Sequence, residues 1–98
     1  MNDKQYPFLN PTAEPITRFY AVFDHQPETI EDYQWREWRN CGPDKEQDRL
    51  LVVHRFIRNR GGAEGLKTIF LYERDGSEPT YRNGQPQRCT AVEYKVTT

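Results

Sequence analysis

Apolar and polar side chains alternate in residues 16–23 (ITRFYAVF), and this pattern predicts a β-strand. β-branched and aromatic residues fill many of these positions, which is typical of a strand with one well-buried face. The polar stretch DHQP at residues 24–27 ends the pattern. We therefore expect the regular part of the chain to begin with this strand.

Residues 28–41 (ETIEDYQWREWRNC) show the start and stop signals of a helix. Pro27 suits a first turn, Thr29 and Asp32 have the spacing of a capping box, and acidic residues concentrate in the N-terminal half. Gly42-Pro43 would end the helix. We predict the main helix over residues 28–41.

Helical periodicity in this segment separates the two tryptophans. At about 100° per residue, four residues share one face: Ile30, Tyr33, Trp38 and Cys41. Trp35 lies outside that face. We expect Trp38 in the core, Cys41 as a buried thiol on the helix, and Trp35 as an exposed aromatic residue.

Residues 44–60 (DKEQDRLLVVHRFIRNR) fit two structures. Asp44 and Gln47 could cap a helix, and Gly61-Gly62 could end one. Apolar residues would, however, surround such a helix on every side: Leu50, Leu51, Val52, Val53, Phe56 and Ile57. We therefore interpret residues 49–58 as a strand, with His54 on one of its faces.

Further strands complete the predicted sheet. Residues 66–74 (LKTIFLYER) read as a strand joined to 49–58 by the hairpin loop NRGGAEG, and residues 80–82 and 88–97 as a hairpin around Asn83-Gly84. The predicted fold class is α+β, a small antiparallel sheet of about four or five strands with one main helix. It forms a single domain over residues 16–98.

Residues 1–15 read as an extended N-terminal arm. Pro7, Pro11 and Pro15 recur at every fourth position, and each removes a backbone donor and favours extended geometry before it. Tyr6 and Phe8 are apolar anchors within the arm. The arm either folds back on its own domain or docks on a partner.

Length and composition limit the class of protein. The 98 residues allow one domain, and the net charge of −1 with six Tyr, five Phe and two Trp argues against a disordered chain. We expect no membrane span and no signal peptide, because apolar runs such as Leu50–Val53 are far too short to cross a bilayer and the chain begins MNDKQYPF. Two cysteines are too few for a disulfide scaffold, so a cytoplasmic protein is expected.

Charge is segregated along the chain. Residues 24–48 contain eight acidic and three basic residues, whereas residues 49–74 contain six basic and two acidic residues. Arginine outnumbers lysine by ten to four, and guanidinium groups are enriched at interfaces because they pair bidentately with carboxylates and phosphates. The predicted basic hairpin 49–74 is either a solvated face, a protein interface or a nucleic-acid contact.

Three kinds of chemistry are weakly represented. His25, Cys41, His54 and Cys89 lack the short spacings of structural zinc ligands. Ser77, the single serine, lies in a predicted turn. Pro43-Asp44 followed by Glu93-Tyr94-Lys95 resembles the signature of Mg²⁺-dependent nucleases, in which carboxylates hold the metal. We expect no cofactor and no catalytic activity, with a nuclease as the third hypothesis.

The stretches TRFYAVFDHQPE and DYQWREWRNCGPD resemble, in size and character, small accessory proteins of temperate bacteriophages. The chain as a whole resembles phage anti-RecBCD proteins. The resemblance implies a non-enzymatic protein in the host cytoplasm that binds the RecBCD helicase–nuclease and alters its activity in favour of phage recombination. It assigns no role to any single residue.

Our leading hypothesis is a protein-binding modulator of a larger nucleic-acid enzyme. The predicted contact residues are Tyr6, Phe8, Trp35, Arg55, Arg58 and Arg60. The alternative is direct nucleic-acid binding by the hairpin 49–74, with aromatic residues stacking on bases. A host prolyl isomerase is a further candidate partner, because bonds such as Tyr6–Pro7 isomerise slowly and favour the cis form more than most.

Overall fold

The structure, a computed structural model, describes residues 16–97. The elements follow in chain order: β1 (Ile16–Phe23), a one-turn 3₁₀ helix (Ile30–Asp32), β2 (Arg36–Cys41), α1 (Lys45–Asn59), β3 (Thr68–Arg74), β4 (Thr80–Arg82), β5 (Gln85–Gln87) and β6 (Thr90–Lys95). The predicted arm, with Tyr6, Phe8 and the Tyr6–Pro7 bond, lies outside the described residues.

Four strands form one antiparallel sheet in the order β2-β1-β3-β6, and β4 and β5 form a separate hairpin. Helix α1 packs on one face of the sheet, over β1 and β3. The α+β class, with one main helix and an antiparallel sheet, is confirmed. β1 has the predicted bounds, and β3 begins at Thr68 within the predicted segment 66–74.

The predicted helix over residues 28–41 is wrong. The capping box at Thr29 does form, because the Asp32 carboxylate accepts a hydrogen bond from the Thr29 N–H at 3.0 Å. It opens only the single 3₁₀ turn, after which the chain extends and β2 pairs with β1. Extended pairing lets successive aromatic side chains enter both faces of the sheet, which one helical stripe cannot do.

The predicted strand over residues 49–58 is also wrong, because this segment lies within α1. The Asp44 side chain accepts a hydrogen bond from the Gln47 N–H at 3.2 Å and caps the helix. Gly62 N–H donates to the Ile57 carbonyl at 2.9 Å, so the glycine pair ends it. The apolar residues surround the helix as expected, but Leu50 and Leu51 are exposed rather than buried.

Two predicted hairpins change accordingly. Residues 49–74 form a helix followed by a strand, and NRGGAEG is the connection between them. The turn at Asn83-Gly84 is confirmed, but its second strand is β5 rather than residues 88–97. β6 pairs instead with β3 and becomes an edge of the main sheet.

The strand alternation of β1 divides the core into two layers. On the helix side the buried cluster consists of Tyr20, Val52, Val53, Leu66, Ile69 and Leu71. On the other side it consists of Ala21, Phe23, Tyr33 and Tyr72, with residues of the β4–β5 hairpin packed against it. Both faces of the sheet are therefore covered near its centre.

Candidate functional site

A groove lies between α1 and the edge strand β2. Since α1 lies over β1 and β3, the helix-side face of β2 is left partly uncovered. Two adjoining hollows of about 680 and 540 Å³ lie there, and both are lined by Trp38 and Arg55. Hollows of this size are within the range, roughly 300–1,000 Å³, that binding sites usually have.

Trp38 is held in place at the centre of this groove. Its ring packs edge-on against buried Tyr20, with ring centroids 6.1 Å apart. The Arg55 guanidinium lies over the ring at 5.6 Å from its centroid, at cation–π distance. Trp38 was expected in the core, and it does pack against the core cluster, but it remains partly exposed.

The helix contributes one flank of the groove. Leu51, Arg55 and Arg58 follow the spacing i, i+4, i+7, which places them on one side of α1. Leu51 is 50% exposed, so it offers apolar surface that no described residue covers. We define the Trp38 groove by six residues: Val22, Arg36, Trp38, Leu51, Arg55 and Arg58.

The arginines of the Trp38 groove have no ion-pair partner among the described residues. Within residues 16–97, no carboxylate lies at ion-pair distance from Arg36, Arg55 or Arg58. The two acids on the rim have partners of their own. Asp32 accepts hydrogen bonds in its capping box, and Glu37 pairs with Arg39.

A second group of charged residues lies between the first half of α1 and the sheet, and its members are paired with one another. Arg18 donates to Asp48 at 2.7 Å, and Arg49 donates two hydrogen bonds to Glu73, at 2.8 and 3.2 Å. Burial alone would raise the pKa of Glu73, but the hydrogen bonds from Arg49 hold that pKa below its ordinary value. These paired groups attach the helix to the sheet.

Trp35 does not lie on an open surface, so the prediction that it is exposed is wrong. Its indole N–H donates to the Tyr81 hydroxyl at 3.0 Å, and its ring stacks on Tyr33. The Arg74 guanidinium lies between Trp35 and Phe19, at 4.9 and 4.3 Å from the ring centroids. Trp35 therefore joins the β4–β5 hairpin to the sheet, on the side opposite the Trp38 groove.

The remaining predicted contact residues divide into two groups. Arg55 and Arg58 lie together on α1, within the groove. Arg60 lies beyond the helix end and donates to the carbonyls of Gly62 at 2.6 Å and Glu64 at 3.3 Å, so it orders the loop. The central residue that sequence reasoning missed is Trp38, because its exposure depends on where α1 crosses the sheet.

The candidate metal and nuclease residues are dispersed. Within the described part of the chain, no group of three or more His, Cys, Asp or Glu side chains could hold a metal ion. Asp44 acts as the helix cap, and Glu93 lies exposed on β6. His54 is exposed on α1 rather than on a strand, and Cys41 ends β2 rather than a helix. Burial raises the pKa of the Cys41 and Cys89 thiols.

Comparison with known proteins does not assign the chain to a family. No family model, no curated protein and no solved structure matches it. Among residues 16–97, no helix is long and apolar enough to cross a membrane. The functional argument consequently rests on the Trp38 groove itself.

Proposed function

We propose that the protein is a non-enzymatic binding module that modulates a larger protein through the Trp38 groove. The observation that carries this proposal is the association of a partly exposed tryptophan with an exposed leucine and arginines that have no described ion-pair partner. Tryptophan and arginine are the residues most enriched at the energetic centres of protein interfaces.

The geometry supports a binding surface in two further ways. Trp38 is held by Tyr20 and Arg55, so little side-chain entropy is lost when a partner covers it. The groove also lies at the edge of the sheet, where a larger protein can approach both β2 and α1. The remaining large aromatic cluster, around Trp35, is already used to pack the β4–β5 hairpin.

The RecBCD helicase–nuclease in the host cytoplasm is the first partner to test, because the chain resembles phage anti-RecBCD proteins. The test measures binding of the purified protein to purified RecBCD, together with the exonuclease activity of RecBCD on linear duplex DNA. We expect a stable complex and altered exonuclease activity. Trp38→Ala should weaken the complex about tenfold or more, in the range of interface hot spots.

A charge-matched pair of variants separates specific contacts from general electrostatics. Arg55→Glu/Arg58→Glu changes the groove, whereas Arg82→Glu/Arg88→Glu makes the same net change at exposed positions of the hairpin and the residue that follows it. We expect only the first pair to lose RecBCD binding. Equal losses in both pairs, with an unchanged far-ultraviolet circular dichroism spectrum, would exclude the groove as the contact surface.

Nucleic-acid binding is the second candidate function, supported by the same unpaired arginines beside an aromatic ring. The sequence-based hypothesis placed nucleic-acid binding on a predicted hairpin over residues 49–74, and that hairpin does not form. Arg55 and Arg58 are nevertheless exposed on α1. This function predicts binding of single-stranded oligonucleotides that weakens steeply with salt, because each phosphate contact releases counterions. Binding that persists unchanged from low to moderate salt would contradict it.

A further inference from the structure

The chemistry of the Trp38 groove also defines the kind of segment that it accepts. Resting on the proposed function, we infer that the groove takes an acidic linear segment of a protein partner, with one apolar side chain seated against Trp38 and Leu51. Carboxylates on either side of that anchor face Arg36, Arg55 and Arg58.

The first step of the argument is the distribution of acids within the chain. The acidic segment 24–48 was a possible internal counterpart for the basic residues that follow it. Six of its eight carboxylates have other partners: Asp24 binds His25, Asp32 accepts bonds from the N–H groups of Glu28 and Thr29, Glu37 pairs with Arg39, Asp44 caps α1, Glu46 lies 3.6 Å from Arg49, and Asp48 binds Arg18 and the Gly42 N–H. Asp32 and Glu37 line the hollow of about 680 Å³, but neither lies at ion-pair distance from Arg36, Arg55 or Arg58. These three guanidinium groups are therefore available to an acidic ligand.

The second step is the contrast between the arginines of α1. Arg49 faces inward and binds Glu73 through two hydrogen bonds, whereas Arg55 and Arg58 face outward with no described carboxylate partner. A guanidinium fork pairs best with a planar carboxylate or phosphate group. Leu51 lies beside these guanidinium groups, and its exposed apolar surface cannot be buried by a phosphate group. A peptide with an apolar side chain can bury it, which favours a peptide over a nucleic acid.

The third step is the edge of β2, which determines how the segment is held. This strand carries charged residues at Arg36, Glu37 and Arg39, and its register with β1 shifts where Asn40 has a positive φ of 57°. Charges and irregular geometry on an edge strand oppose the addition of another strand. The segment is therefore recognised through its side chains in the two hollows rather than by extending the sheet.

The test uses the full chain and short fluorescein-labelled peptides, followed by fluorescence anisotropy. One peptide alternates Asp and Glu around a central Phe, a second replaces Phe by Ser, and a third keeps Phe but replaces the acids by Asn and Gln. We expect the first peptide to bind, and each of the others to bind at least about tenfold more weakly. A single-stranded oligonucleotide of the same charge is the comparison ligand.

The variants locate the binding site. Arg55→Glu/Arg58→Glu should reduce affinity for the acidic Phe peptide about tenfold or more, and Arg82→Glu/Arg88→Glu should leave it within twofold. In Trp35→Phe, the remaining tryptophan is Trp38, so its fluorescence should change on peptide binding. Trp38→Phe, which retains Trp35, should abolish most of that change and provides the signal control.

Several results would overturn the inference. Equal affinity for the neutral peptide, equal losses in the two charge-reversed pairs, or preference for the oligonucleotide would each exclude an acidic peptide as the ligand. Peptide binding seen only after Tyr6→Ala/Phe8→Ala would make residues 1–15 of the chain the occupant. If RecBCD binds in a Trp38-dependent way but the acidic peptide neither binds nor competes, this inference fails while the proposed function stands. If neither binds, both fail.

Discussion

Arg49 donates two hydrogen bonds to the buried carboxylate of Glu73, whereas Arg55 lies over the ring of Trp38 at the edge of a groove. The two residues belong to the same helix and to the same basic stretch of sequence. Their different roles follow from which side of α1 faces the sheet. At the scale of single residues, the sequence identified the chemical groups, and the packing of α1 assigned each one to the core or to the surface.

The Glu73–Arg49 pair predicts a stability that depends on pH. Glu73→Gln removes the buried counter-charge of Arg49 and leaves only the exposed Glu46, 3.6 Å away, so the free energy of unfolding should fall by about 3 kcal/mol at pH 7. The folded-state pKa of Glu73 lies below its ordinary value of 4.5. Its stabilising contribution is therefore complete above that value and is lost as the pH falls through the folded-state pKa.

Urea unfolding of the wild type and Glu73→Gln from neutral to acid pH measures this contribution. The difference between the two proteins should shrink in acid. Glu78→Gln, at an exposed position of the turn after β3, should unfold like the wild type throughout. A difference at Glu73 that stays constant with pH would contradict the role assigned to the ionised pair.

At the scale of elements, the helix and the neighbouring strand were predicted in exchanged places. The capping box at Thr29 and the cap at Asp44 were both recognised, but a cap does not specify how many turns follow it. For residues 36–41, pairing with β1 and packing Trp38 against Tyr20 stabilise the chain more than further helical turns would. A helix over residues 45–59 was rejected because apolar residues would surround it on every side. That argument holds only if all of them must be buried, and Leu50 and Leu51 are exposed.

The turn between β4 and β5 is an element for which local sequence was sufficient. Asn83 and Gly84 both have positive φ, 53° and 79°, as an Asn-Gly hairpin turn requires. A Cβ atom at residue 84 would also lie 3.1 Å from the Glu28 carbonyl oxygen. This close approach connects the hairpin to the segment that follows β1.

Gly84→Ala should therefore reduce the free energy of unfolding by about 1–2 kcal/mol, because both the backbone conformation and the contact with Glu28 become unfavourable. Gly61→Ala has a comparable positive φ of 94° but no neighbour within 4 Å, so it should cost less. Gly76→Ala, with neither feature, should be close to neutral. Urea unfolding compares the three, and an equal effect at Gly84 and Gly61 would exclude the proposed close approach.

At the scale of the whole molecule, the sheet has two faces with different uses. One carries α1 and, at its open edge, the Trp38 groove, while the other is covered by the Trp35 cluster and the β4–β5 hairpin. This division explains why reversing Arg82 and Arg88 is a fair control for reversing Arg55 and Arg58. The two sets lie on opposite sides of the sheet.

The arm contributes a prediction at the same scale. If residues 1–15 dock on the partner, Tyr6→Ala/Phe8→Ala should weaken RecBCD binding about tenfold, in the range of apolar anchors, and leave the melting temperature unchanged. Asn2→Ala/Gln5→Ala should alter neither. Calorimetry reports the melting temperature and a binding assay reports the affinity for RecBCD, so the two measurements together distinguish an arm that docks on the partner from one that packs on its own domain. A lower melting temperature with intact affinity would show that the arm packs on its own domain.

The sequence by itself determined the fold class, the first strand, the Asn83-Gly84 turn and both caps, because these depend on alternation and on hydrogen bonds between near neighbours. Only the tertiary structure decided which segment forms the long helix and which tryptophan is accessible. The reason is physical: residues 28–41 and 45–59 are locally compatible with either structure. Pairing with β1 and the crossing of α1 over the sheet select one arrangement, through contacts between residues distant in the chain.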